Sequence, residues 1–200
     1  MAGNRYVVQM AGIIPVQAGP ENEGYPWPSA IMPLYKNYSA IHKSILECAM
    51  AGCNSIWIIA EKRHIPIIKA VAGNWIEDPV MAQLPTEFKD DYKIKIPIWY
   101  SSLPIKDLGR RDCHGRSVIA GADYAIEVGK RLGSVFVPQK FFVSFPYYVY
   151  SPWVLQKSRS KIKSSDTNFF IRDKGKTIKD GKMLGFTFFL KDLTALKKHF

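Results

Sequence analysis

The order of elements between Val7 and Ala60 constrains the fold more than any other feature of the chain. Tyr6-Val7-Val8-Gln9-Met10 is a short apolar run ending at Ala11-Gly12, and Ser55-Ile56-Trp57-Ile58-Ile59-Ala60 is a second. Both predict strands buried in a sheet. Between them Ile41, Ile45, Cys48 and Gly52 recur at helical spacing, which predicts a helix over Ser39 to Ala51. Ser39 or Asn37 can cap its start, and Gly52 supplies the left-handed stop. Strand, helix and strand in about fifty residues make a βαβ unit, parallel and right-handed almost without exception. The join between first strand and helix is about twenty-five residues long, far beyond the usual two to six, and such loops in compact domains are mostly functional. Pro15, Gly19, Pro20, Gly24, Pro26, Pro28 and Pro33 give it a partly pre-set backbone.

Later segments extend the same pattern. Ile65 to Gly73 predicts a short helix with Pro66 in its first turn and Gly73 at its end. Asn74 to Tyr92 is mixed and polar and predicts a surface excursion, and Lys93 to Tyr100 predicts a third strand that starts late or lies partly unpaired at Pro97. A helix follows from about Gly115 to Leu132, with Val118, Ala122, Ala125 and Gly129 on one face. Val135 to Tyr150 predicts a buried strand and an aromatic turn. Ser151 to Ser165, basic and rich in serine, predicts a loop; Asn168 to Asp173 and Met183 to Leu190 predict strands around the turn Lys174-Gly175-Lys176, before a closing helix from Lys191.

Two hundred residues, 47% of them apolar, are enough for one sizeable core. No apolar run approaches the roughly twenty residues of a membrane-spanning helix, and the N-terminus lacks a secretory pattern, so a cytoplasmic protein without a membrane partner is expected. Cys48, Cys53 and Cys113 show no Cys-x-x-Cys spacing and are expected to be reduced packing residues. The net charge of +11 is concentrated from Ser151 onward, with twelve Lys or Arg against four Asp. Such a region can meet nucleic acid, a polyphosphate or an acidic partner surface, or simply be a solvated face.

Candidate chemistry clusters in Leu103 to Ser117, where Arg110, Arg111, Asp112, His114 and Arg116 crowd the start of a helix. The helix dipole and free N-H groups there favour anions, and arginine binds phosphate bidentately. The alternative is a set of exposed loop charges with Asp112 as the helix cap. Backbone N-H groups of Ala11 to Ile14, beyond the first strand, form a second place for an anion. Walker, dinucleotide-fold, G-x-S-x-G and kinase motifs are absent, as are D-x-D pairs and metal-ligand histidine spacings.

Val8-Gln9-Met10-Ala11-Gly12, then Pro28-Ser29-Ala30-Ile31-Met32-Pro33-Leu34, then Ala51-Gly52-Cys53-Asn54-Ser55-Ile56 resemble the opening of the sugar-phosphate nucleotidyltransferases, and Gly185-Phe186-Thr187-Phe188-Phe189 resembles a later segment of that family. The resemblance implies an α/β fold, a three-layer sandwich on a mainly parallel sheet of the nucleotide-diphospho-sugar transferase type. It implies one domain over 1–200, with 1–150 as nucleotide-binding core and 151–200 as a basic strand and helix extension. The activity implied is attack of a sugar phosphate on a nucleoside triphosphate, with magnesium as cofactor. Ala11, Gly12, Ile13, Arg110, His114 and Gly115 would bind the nucleotide or nucleotide sugar. Arg111 and Asp112 would be catalytic, Asp112 would be the metal ligand, and Lys36 would add charge. Ile14, Val16, Ser29 and Tyr147 stand where that family has Gly, Arg, Lys and the metal-binding Asp. A second reading is therefore open, a catalytically inactive descendant acting as a binding or structural module of the compact kind a virus encodes.

Overall fold

The computed structural model describes residues 8–16, 27–83, 94–107 and 113–199. Strand β1 (Met10–Pro15) precedes a one-turn 3-10 helix at Ser29–Ile31 and a small antiparallel ribbon of β2 (Pro33–Tyr35) and β3 (Tyr38–Ser39). Helix α1 (Ala40–Ala51), β4 (Ser55–Ile59), α2 (Ile65–Ala72), β5 (Trp75–Glu77) and β6 (Lys95–Ser101) come next. They are followed by α3 (His114–Leu132), β7 (Lys140–Val143), α4 (Trp153–Ser164), β8 (Phe186–Phe189) and α5 (Leu193–His199).

Six strands form one sheet in the order β5-β6-β4-β1-β7-β8. The inner four are parallel, and the edge strands β5 and β8 run antiparallel to their neighbours. Inner parallel strands must be apolar on both faces, and β1 is: Met10 and Ile14 pack toward α1, α2 and α4, while Ala11 and Ile13 pack toward α3 and α5. Each fully buried Ile or Phe on these faces stabilises the fold by about 1.5–3 kcal/mol. The result is a three-layer α/β/α sandwich. The expected βαβ unit is β1-α1-β4, with β1 and β4 adjacent and parallel. Ser39 starts α1 by sharing a hydrogen bond with His42 Nδ1 at 2.9 Å, and Gly52 ends it at φ +93°.

Several boundaries differ from the sequence reading, each for a packing reason. The first strand runs Met10–Pro15, past the expected end at Met10, because Ala11-Gly12 is not a loop signal here; Tyr6 and Val7 of the expected strand lie outside the described residues. A Cβ on Gly12 would lie 2.7 Å from Cys48 Sγ, so the glycine admits close approach of α1 to the strand. Ser151 to Ser165 is mostly helix α4 rather than loop: Leu155 and Ile162, two turns apart, are both buried in the core beside α1. The stretch after Asn74 contributes edge strand β5, which places Trp75 opposite Pro97. Val135 and Phe136 form an exposed 3-10 turn, and β7 begins only at Lys140. Asn168 to Asp173 makes isolated bridges, Phe170 to Phe186 and Asp173 to Lys176, in place of a strand. Among the described residues no helix is long and apolar enough to cross a membrane.

Candidate functional site at the carboxyl edge of the sheet

From β1 the chain moves outward through β4 to β6, and α3 then carries it back to β7 on the other side of β1. The strand order thus reverses between β1 and β7. In open α/β sheets the crevice beyond the carboxyl ends at such a reversal is where ligands bind.

Three segments meet there. Val16, just past β1, is held by its N-H to Ile59 O at 2.8 Å, and its carbonyl accepts from the Tyr147 hydroxyl at 2.9 Å. The His114 ring, at the start of α3, lies 5.5 Å from the Tyr147 ring and 5.7 Å, edge-on, from that of Phe145. Burial pushes the Tyr147 hydroxyl well above the usual phenol range, so it stays protonated and donating at any physiological pH. His114, Tyr147 and Val16 therefore bring together the loop after β1, the head of α3 and the turn after β7.

The α3 wall is braced from within. Cys113, not Asp112, is the N-cap, its Sγ accepting from the Arg116 N-H at 3.4 Å. Arg116 donates twice to Asp107 Oδ2, from Nε at 3.1 Å and from Nη2 at 2.7 Å, and Asp107 is buried. Tyr124 donates to Ser102 O at 3.0 Å, tying the end of β6 to the same helix. Arg116 is thus a brace rather than a phosphate ligand. Gly115 lies in the first turn of α3, and Lys36 is exposed on the β2-β3 turn. Arg110, Arg111 and Asp112 lie outside the described residues. The expectation that Ala11, Gly12 and Ile13 follow the strand is corrected: they are inside β1, paired to β4 on one side and β7 on the other. Their backbone groups belong to the sheet ladder, and the carboxyl edge is occupied by Pro15 and Val16.

Beneath the crevice lies a charged cluster that the sequence reading missed. Lys43 and Glu47, one turn apart on α1, are 1% and 0% exposed and pair at 3.0 Å. Lys43 Nζ also donates to Phe145 O at 2.8 Å and Tyr148 O at 2.6 Å, and Glu47 Oε2 accepts from Ser144 Oγ at 2.5 Å. One lysine therefore grips both ends of the turn that carries Tyr147. Burial lowers the Lys43 pKa and raises that of Glu47, in each case against the opposing pull of the partner. The available signal was the i,i+4 Lys-Glu pair flanked by Ile41, Ile45 and Cys48, which reads as a solvated face unless the returning chain is known to cover it.

A magnesium site would need hard oxygen donors, carboxylates above all. Among the described residues no group of three or more His, Cys, Asp or Glu could hold a metal. At this edge Asp107 is taken by Arg116 and Glu47 by Lys43 and Ser144. The described residues do not fit a magnesium ion.

No protein-family model matches the chain, and no curated protein matches it in sequence. Solved structures match it in fold. One is described as a glucose-1-phosphate thymidylyltransferase from Bacillus anthracis, in complex with sucrose: TM-score 0.54, 14% identity, covering 94% of this chain and 75% of that one. Another is Rv0371c from Mycobacterium tuberculosis: TM-score 0.53, 9% identity, covering 96% of this chain and 77% of that one. The fold is nucleotidyltransferase-like.

Proposed function

We propose that this chain is a nucleotidyltransferase-like protein that binds a nucleotide or nucleotide sugar in the crevice between β1 and β7. The observation that carries this reading is the meeting of Val16, His114 and Tyr147 at the carboxyl edge, where the strand order reverses. The half-buried rings of His114 and Tyr147, tilted by 45° to one another, offer aromatic surface to a base. Gly115 and the N-H groups at the head of α3, with Arg110 and Arg111 just before it, offer the phosphates a positive field.

Transfer of the nucleotidyl group to a sugar phosphate would require the charge building on the α-phosphate and on departing pyrophosphate to be neutralised. In this reading Arg111 is the group assigned to that task and Asp112 is the remaining carboxylate. The described residues form no metal site that could share that charge. The second reading, a descendant that binds without transferring, is favoured by Tyr147. This neutral phenol is committed to Val16 O where the resembling enzymes keep a metal-binding Asp.

A thermal-unfolding panel of nucleoside triphosphates, UDP-glucose and glucose 1-phosphate tests the proposal. A true ligand at a hundred times its dissociation constant adds about 2.7 kcal/mol, and His114→Ala should reduce that gain. If no nucleotide at millimolar concentration raises stability, the nucleotide reading fails.

A further inference from the structure

The opposite, amino edge of the sheet holds a concavity of about 250 Å³ that the crevice does not reach. It lies where β4 and β6 begin, with Ile96 as an apolar wall and α4 alongside. Its volume is below the roughly 300–1,000 Å³ of pockets for drug-sized molecules, so it suits a small ligand.

The polar lining is built from side chains drawn across the end of α1. A Cβ on Gly52 would lie 2.8 Å from Lys163 Cδ and 3.2 Å from Arg159 Nε, so only glycine leaves both side chains this course. Arg159 is engaged through both terminal nitrogens: Nη1 donates to Ala49 O at 2.8 Å and Asp78 Oδ1 at 3.0 Å, and Nη2 donates to Asp78 Oδ2 at 2.5 Å. Asp78 accepts in addition from the Val80 N-H at 3.0 Å, so its charge is answered within the fold. The carbonyl end of α1 would repel an anion, but Ala49 O takes Arg159 and the Gly52 N-H, and Cys48 O takes the Cys53 N-H.

Among the described residues Lys163 makes no ion pair. Burial, and then the neighbouring Arg159 guanidinium, lower its pKa despite the pull of Cys53 and Asp78. Asn54 lines the same pocket, and its Oδ1 accepts from the Met10 N-H at 3.1 Å, which leaves its NH2 to donate elsewhere. The pocket thus combines the ammonium groups of Lys163 and Lys95, a neutral amide donor and a guanidinium against one carboxylate. That positive excess answers a dianion better than a monoanion.

We propose that this pocket binds a phosphate group, free or at the end of a small organic phosphate, with Lys163 as counter-charge and Asn54 as neutral donor. It is a second site, at the opposite edge of the sheet from the nucleotide crevice, and does not depend on that crevice being correctly assigned. The test follows the Lys163 ε-methylene and Asn54 side-chain amide resonances by NMR during titration with inorganic phosphate and with glycerol 3-phosphate, against chloride at matched ionic strength. Both resonances should move and saturate, with a dissociation constant on the order of 1 mM. Lys163→Met should weaken binding at least about tenfold. Asn54→Asp keeps the acceptor for Met10 but adds a negative charge, and should weaken it similarly. Saturation by glycerol 3-phosphate alone would assign an organic phosphate, and saturation by both would assign free phosphate. Absence of saturation by tens of millimolar of either anion, shifts reproduced by chloride, or unchanged affinity in both variants would overturn the proposal.

Discussion

At the carboxyl edge, Val16, His114 and Tyr147 meet as a largely aromatic wall, and the ionic groups around them are already paired: Lys43 with Glu47 below, Arg116 with Asp107 to the side. At the amino edge Arg159 and Asp78 are likewise paired, yet Lys163, lining a pocket, makes no ion pair among the described residues. The difference teaches where charge supports the backbone and where it remains for a ligand. In the crevice the described ionic groups hold loops in place, so in the proposed reading phosphate recognition falls to the head of α3 and to Arg110 and Arg111.

The comparison breaks most easily at Lys43. Lys43→Met leaves Glu47 buried without its cation and removes the donor from Phe145 O and Tyr148 O. We expect a loss of about 3–5 kcal/mol in urea unfolding, the scale for breaking a buried pair. Lys43→Met combined with Glu47→Leu should recover only part of this, because the two carbonyls stay unsatisfied. Full recovery would show that Lys43 answers Glu47 alone and does not hold the turn.

The same pair gives a pH dependence whose sign follows from the two shifts. Glu47 has a raised pKa in the folded state, so as pH climbs from the unfolded value of about 4.3 toward the folded one, the folded chain keeps a proton that the unfolded chain has lost. Stability from this group falls across that window. Lys43 has a lowered folded pKa, so between that value and about 10.4 the unfolded chain holds the extra proton and stability rises with pH. The pair therefore costs most between the acid-side fall and the alkaline-side rise. Unfolding across pH should show the acid-side fall in the native chain and lose it in Glu47→Gln; persistence of the fall in that variant would assign it to other carboxylates.

Arg159 sharpens the amino-edge half. Arg159→Ala removes two donors from buried Asp78 and one from the end of α1, and should cost about 2–3 kcal/mol. Equal stability of variant and native chain in urea would mean that α4 is held to α1 by Leu155 and Ile162 alone.

How much of this was legible in sequence follows from range. The β1-α1-β4 unit, α2 and α3 are written in local periodicity with caps such as Ser39, Gly52 and Pro66, and those signals survive in the fold. The end of β1 was misplaced because Ala11-Gly12 reads as a loop until one knows that α1 brings Cys48 against the glycine. Helix α4 and the Lys43-Glu47 pair were missed together. Both depend on the chain after β7 returning over α1, a contact between segments about a hundred residues apart that no local pattern encodes. At the site, crowding near the head of α3 was visible, but the meeting of His114 with Tyr147 and the diversion of Arg116 to Asp107 are tertiary facts.

Arg111 tests the crevice itself. If the arginines before α3 supply the charge that the paired groups cannot, Arg111→Ala should weaken a nucleoside triphosphate by about 1.5–3 kcal/mol, measured by calorimetry. Magnesium should change that affinity little, and pyrophosphate release from a triphosphate and a sugar phosphate should stay near background. Robust magnesium-dependent release abolished by Asp112→Asn would instead make the chain a working transferase with its metal on that residue.

Lys157 should show the smallest effect, and its smallness is informative. It shares α4 with Arg159 and Lys163, but it is exposed and makes no ion pair among the described residues, whereas those two turn inward across Gly52. A solvated lysine of this kind contributes less than about 1 kcal/mol to either stability or binding of a charged ligand. Lys157→Ala should therefore leave urea unfolding nearly unchanged and weaken a triphosphate less than Arg111→Ala does. If the order reverses, the phosphates are being met by the outer face of α4, and the binding surface moves from the carboxyl edge to the basic C-terminal region.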